Sequence, residues 1–409
     1  MRAGRVAPAL QAHSQIVALC NWRVESTVAH GGEQARADRT RHAEAGGFKG
    51  EVARPAGRRR VVVDVDVTLT MDGTNDYAEP TPTMKIAFVY AVLVALLLAA
   101  VGLALAVGHG QLSDPALRST LLELRATRVA AALLAGAALA VGGVVVQGVF
   151  RNPLVSPSIL GTTAGASLGG QLSLLALAWG AAGSTIPAEL VLPLGCLLGA
   201  GVSLAILLVF CRERAGTLML ILTGFILSSL FLAVGGFVTS LAQDQWDLSR
   251  AVVAFTLGGV GGTGARQVAA AAPFVLVGLV ASWAWSGTLD VLISGEDEAR
   301  TLGVEVGQAR RWTVVWVAVL TSAAIAVGGN VAFVGLVVPH ALRPIVGVGH
   351  RRLIPAAALL GATFLVACDV IARVFPSRTE LPLGVITGII GAPVFLYLLA
   401  RYYREVEHG

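Results

Sequence analysis

Charge is what this chain has least of. Only 13% of its 409 residues are Asp, Glu, Lys or Arg, against about 25% in an ordinary soluble domain. Hydrophobic residues make up 55% and mean hydropathy is +0.75, which excludes a soluble globular chain. Cysteine is nearly as scarce. Cys20, Cys196, Cys211 and Cys368 show no C-x-x-C or Cys/His spacing, so no disulfide, metal site or cofactor is expected. Three of the four sit in apolar stretches, where a thiol packs as a small hydrophobe. The nucleotide and metalloprotease signatures are missing too. Gly258 to Gly264 is glycine-rich but lacks the Gly-Lys-Ser/Thr ending and joins no strand to a helix, and there is no H-E-x-x-H. The net charge of +5 is spread along the chain and speaks to membrane orientation, with no basic cluster fit for nucleic acid.

What is present is a series of long apolar runs. Several, such as Ile86 to Val107 and Leu190 to Phe210, reach the roughly 20 residues that cross a bilayer as a helix. The pattern predicts an all-α, polytopic transmembrane bundle of ten spans, near 85–108, 126–149, 158–180, 188–211, 216–241, 267–286, 311–328, 331–348, 354–372 and 382–402. Residues 1–83 differ. They hold 21 of the 55 charged residues, among them Arg58-Arg59-Arg60, and have no helical period. Val61 to Val67 alternates like a strand that has no second strand to pair with. Either this is a disordered tail or it is upstream sequence translated from a misplaced start. The second reading is favoured, with Met84 or Met71 as the true beginning, because Met84-Lys85 directly precedes a spanning run. The membrane domain is then 84–409.

Because charge is rare, its position carries information. Arg151, Arg212, Arg214, Arg300, Arg310, Arg311, Arg351, Arg352, Arg401 and Arg404 fall on one side of the ten spans, which the positive-inside tendency makes cytoplasmic, with both termini. Arg118, Arg125, Arg128, Arg250, Arg373 and Arg378 fall on the other. The densest block, Gly295-Glu-Asp-Glu-Ala-Arg-Thr-Leu-Gly303, lies between the sixth and seventh spans. As a helical turn it keeps Glu296, Glu298 and Arg300 polar and sets Ala299 with Leu302 on a small apolar face, the form of a docking element. Glycines four apart (Gly161, Gly165, Gly169; Gly258, Gly262; Gly384, Gly388) point to close helix packing.

Four stretches in order and register resemble the FecCD family, the membrane subunit of type II ABC importers for iron–siderophores, haem and vitamin B12. They are Leu124-Arg125-Ala-Thr-Arg128 running through Gln147-Gly-Val-Phe-Arg-Asn-Pro-Leu154, the block from Gly295 to Gly303, Asn330 to Arg343 with Pro339-His340, and Asp369 to Arg373 followed by Glu380-Leu-Pro-Leu-Gly384 and Gly391-Ala-Pro393. The resemblance covers 84–409. It implies a homodimer, or a heterodimer with a paralogous permease, and a path at the two-fold axis. It also implies separate cytoplasmic ATPase subunits and an outer substrate-binding protein. Residues Glu296, Asp297, Glu298, Ala299, Arg300, Leu302 and Gly303 then match the coupling helix that seats on the ATPase, with coupling helices near 294–304. Arg125, Arg128 and Arg373 match the arginines that meet acidic residues of the binding protein, a task suited to a guanidinium fork. ATP hydrolysis belongs to the partner chain, and this one is not an enzyme.

The remaining polar residues read more quietly. Asn152-Pro153 forms a turn, His340 is hydrogen-bonded within the bundle, and Asp369 pairs with an arginine, although intramembrane carboxylates always raise a functional question. Asp244, Trp246 and Asp247 read as an outer loop. Thr217, Thr223, Ser228, Ser229, Thr239 and Ser240 offer hydroxyls along one span. The rival reading is an ion-gradient transporter, which places ionisable groups near the midplane; the deep spans here are nearly free of carboxylates.

Overall fold

The computed structural model describes residues 82–108, 115–180, 187–210, 217–375 and 380–408. The extension 1–81, Arg212, Arg214 and Arg378 lie outside them, as do the side chains of Glu296, Arg401 and Arg404. Thirteen helices and two short 3₁₀ turns make up the described chain. They are α1 (Pro82–Ala106), α2 (Pro115–Phe150), α3 (Thr162–Ala178), α4 (Ala188–Phe210), α5 (Thr217–Leu241), α6 (Trp246–Leu257), α7 (Ala265–Ala284), α8 (Ser286–Ser294), α9 (Glu296–Thr301), α10 (Val306–Gly328), α11 (Val334–Val346), α12 (His350–Val374) and α13 (Leu383–His408). No strand occurs among the described residues.

Each of the ten expected spans coincides with a helix, and seven helices are long and apolar enough to cross a membrane: α1, α2, α4, α5 (continued through its 3₁₀ turn), α7, α10 and α12. Helices α11 and the apolar part of α13 are shorter. The largest shift in a span is at α2, and one expected loop is a helix. Helix α2 begins at Pro115, eleven residues before the expected 126, and runs 36 residues, about 54 Å. The segment at Trp246 and Asp247, read as a loop, is the helix α6. It forms because Leu248 and Val252 fall on one face and bury against Leu175, Val238 and Ala242, and Gly258 ends it with φ of +80°.

In lipid, burial of apolar surface does not drive helices together, so close approach between small residues must. Helices α2 and α12 cross where Gly136 meets Gly361; a Cβ on either would overlap the other's carbonyl. Gly143 meets Gly335 of α11 in the same way, and Gly165 and Gly169 of α3 meet Gly199 and Gly195 of α4. The glycine spacing is therefore packing, as expected, although Gly262 and Gly388 face open space. Helices α2 and α10 are consequently central and buried, while α1 and α5 lie at the periphery.

Candidate functional site

Two polar clusters stand at opposite ends of the bundle, and α2 and α12 reach both. At one end α2 presents Arg125 and Arg128 three residues apart, and α12 presents Asp369 and Arg373 four apart, so each pair shares a helix face. Asp369, 1% exposed, lies between Arg128 (Nε to Oδ1, 2.8 Å) and Arg373 (Nη2 to Oδ2, 2.7 Å). Arg128 Nη1 also donates to both oxygens of Glu380, at 3.0 and 2.8 Å, on the segment leading into α13.

The other two guanidiniums turn inward. Arg125 donates to the carbonyls of Leu105 and Ala106 through Nη1 and of Gly108 through Nη2. Arg373 Nη1 donates to Ala104 and Val107. These are the last carbonyls of α1 and the two that follow it, which no intrahelical N–H reaches and which sit at the negative end of the helix dipole. Arg125 and Arg373 are 6% and 7% exposed, so both cap a helix from within the fold. Of the three arginines matched to docking, Arg128 alone reaches the surface through a partly exposed partner, Glu380.

Above the Arg128–Glu380 pair lies the glycine-rich loop. A Cβ on Gly261 would sit 3.1 Å from Glu380 Oε2 and 3.2 Å from Arg128 Nη1. The loop caps α10: Gly259 N donates to Gly328 O at 2.9 Å, Thr263 Oγ1 to Val327 O at 2.8 Å, and Gln267 Nε2 to Ala326 O at 2.7 Å. Leu383 N, opening α13, donates to Gly258 O at 2.8 Å. A cavity of about 710 Å³ opens beside it, with Arg250, Phe255, Thr263, Gln267 and Glu380 in its wall.

The opposite end holds α8 and α9. Gly295 separates them with φ of +138°, a backbone conformation that L side chains rarely adopt. Helix α9 ends in a Schellman motif, with Val304 N bonded to Ala299 O and Gly303 N to Arg300 O and Gly303 at φ +82°, the left-handed position glycine fills. Ala299 is fully buried, whereas Leu302 is 67% exposed. The shared apolar face expected for these two residues is therefore corrected: only Ala299 is buried, and Leu302, closing the helix at its C-cap, stands in solvent. Asp297 and Arg300 are exposed and stand 3.5 Å apart, and the Glu298 carboxylate folds back over Gly295.

Sequence reasoning missed four contacts between distant residues. Arg343 Nη2 donates to Gln147 Oε1 at 2.6 Å, and Gln147 Nε2 to Gly335 O at 3.1 Å, tying α11 to α2. Asp290 of α8 holds His350 of α12, and Glu380 holds Arg128. For Asp290 the one advance signal was its isolation in apolar sequence. Ser167 stands in a Gly-Ala-Ser-Leu-Gly sequence that matches the hydrolase elbow letter for letter. It lies buried inside α3, with no strand-to-helix turn to expose it. Among the described residues no group of three His, Cys, Asp or Glu side chains gathers to hold a metal.

The model of the FecCD transport family matches residues 84–401. The chain is 40% identical over 281 residues to the Fe(3+) dicitrate transport system permease protein FecD of Escherichia coli, covering 69% of this chain and 85% of that one. It is 38% identical over 288 residues to the cobalamin import system permease protein BtuC of Halobacterium salinarum, covering 69% and 73%. A solved structure described as an inward-facing conformation of a metal-chelate type ABC transporter superposes with a TM-score of 0.68 at 31% identity, covering 77% of this chain and 99% of that one. With its apolar helical bundle, its two polar ends and these relatives, the chain belongs to the FecCD transport family of multi-pass membrane permeases.

Proposed function

We propose that this chain is the membrane-spanning permease subunit of an ABC importer. It carries a ferric siderophore, or a related chelate such as haem or cobalamin, through the cytoplasmic membrane on energy from separate ATPase subunits. The observation that carries the reading is the pairing of family membership with α9, a short helix whose backbone is fixed by buried Ala299 and the Schellman turn while Asp297 and Arg300 stand in solvent. That is the shape of a rigid lever. Its end of the bundle carries Arg151, Arg310, Arg311, Arg351 and Arg352, which argues that it faces the cytoplasm. Helix α1 ends, and α13 begins, at the arginine end, so both membrane-domain termini belong to the α9 side. Relatives named for iron dicitrate, haemin and cobalamin support a chelate as cargo. Helix α5 is buried only along Gly224, Leu227, Phe231, Gly235 and Val238, which leaves a broad face for lipid and a second copy in a homodimer. The ion-gradient alternative is disfavoured, since no carboxylate among the described residues occupies the middle third of a spanning helix.

The arginine end is then the docking face for a substrate-binding protein. An acidic residue of that protein competes with Glu380 for Arg128, while Arg125 and Arg373 hold the surface in shape. Arg128→Gln is expected to weaken binding-protein affinity about tenfold and to flatten its salt dependence; affinity and salt dependence unchanged by the substitution would place docking elsewhere. The assignment as a whole is tested by co-purification. The tagged chain is expected to bring an ABC ATPase subunit with it, and radiolabelled ferric siderophore uptake under iron limitation is expected to require the gene.

A further inference from the structure

We propose that Asp290 is a positioning residue that fixes the α8–α9 element to the first turn of α12, so that the two move as one body; this rests on the importer reading above. Helix α12 starts behind Gly349, which has no side chain to cap it, and the first N–H groups of a helix need an acceptor. Asp290 supplies one from another helix. Its Oδ1 accepts from His350 N at 2.8 Å and lies 2.7 Å from His350 Nδ1. A carboxylate at that position also suits the positive end of the helix dipole.

The ring it holds is itself confined. His350 is 1% exposed, and its Nε2 edge closes over Gly148 of α2, where a Cβ would overlap it. One carboxylate and one imidazole thus join α8, α12 and α2. The same turn is gripped from α7 by Trp283 Nε1 on Arg351 O (3.3 Å) and from α1 by the Tyr90 hydroxyl on Arg352 O (2.6 Å). Neither of these reaches α8. Helix α12 then runs 25 residues, about 37 Å, to Asp369 and Arg373 in the opposite cluster. Displacement of α9 by an ATPase passes through Asp290 into α12 and arrives where the outer ion network is built.

The test uses the permease purified with its ATPase subunits, with nitroxides at the exposed Val374 (end of α12) and Phe237 (α5). Trapping with MgATP and vanadate is expected to change the inter-spin distance by about 2 Å or more in the unmutated complex. Asp290→Ala is expected to abolish the change while the ATPase still co-purifies, and Asp290→Asn, which keeps an oxygen acceptor, to retain it. An alanine variant that moves like the parent overturns the proposal, and so does an asparagine variant that loses the movement as completely as alanine does. Should the alanine variant fail to assemble, deuterium exchange in the unmutated complex decides. The His350 amide is expected to stay protected in both nucleotide states, and loss of protection on trapping would show that the tie breaks. Absence of any ATPase from the unmutated preparation would contradict the importer reading itself.

Discussion

Asp369→Ala is expected to destabilise the permease more than any other single side-chain truncation at the two polar ends. The carboxylate is 1% exposed and stands between the guanidiniums of Arg128 and Arg373, the second with 2% side-chain exposure. Removing it leaves the buried Arg373 guanidinium without its carboxylate and beside Arg128, which keeps only the more exposed Glu380. Breaking a buried pair in this way costs about 3–5 kcal/mol, on the order of a 10 °C fall in the melting temperature of the detergent-solubilised protein. Part of that loss arises at a distance. Arg373 also caps α1 through Ala104 and Val107, and once unpaired it is free to leave that cap. Asp369→Asn keeps one acceptor oxygen and turns an amide NH2 toward the other guanidinium, so it is expected to lose less than alanine but still measurably. Equal melting temperatures for the parent and the alanine variant would show that the network contributes nothing to stability.

The second large effect is functional. Glu298→Lys combined with Arg300→Glu is expected to lower ATPase co-purification at least tenfold and to abolish uptake, with the permease still folded. The separation of these outcomes follows from how α9 is built. Its position depends chiefly on buried Ala299, the Gly295 and Gly303 conformations and backbone bonds; the double substitution alters only the Glu298 carboxylate over Gly295 and the exposed Asp297–Arg300 pair. Lysine near the first turn opposes the helix dipole only locally. Unchanged assembly and transport in this variant would remove α9 from the coupling role.

The spans were legible because roughly 20 consecutive apolar residues have few other uses. The boundaries were not. The first turns of α2 contain Arg118, Glu123 and Arg125, so by hydropathy they resemble a loop, yet Arg125 must be helical to sit beside Arg128 and reach the end of α1. Helix α6 hid for a different reason: only Leu248 and Val252 are buried, while apolar residues such as Trp246, Val253 and Leu257 are exposed, so its twelve residues show no clear apolar stripe. The charged block was conspicuous because charge is rare elsewhere, but which of Ala299 and Leu302 is buried depends on how the short helix packs against α8 and α10, which only the fold shows. The burial of Arg125 and Arg373 could not be read: the pairing of Asp369 with an arginine was legible, but the α1 carbonyls that draw both guanidiniums inward are backbone groups, which carry no sequence signal. The links of Asp290 to His350 and of Arg128 to Glu380 span 60 and 252 positions, and only the fold brings them together.

The account rests on transport powered from α9 by a partner ATPase. The direct measurement is ferric siderophore uptake into proteoliposomes holding the purified chain, with and without the co-purified ATPase subunits and binding protein. Uptake is expected to require those partners and MgATP, to be blocked by vanadate and to be indifferent to a protonophore. Uptake by the chain alone, driven by an ion gradient and collapsed by the protonophore, would contradict it.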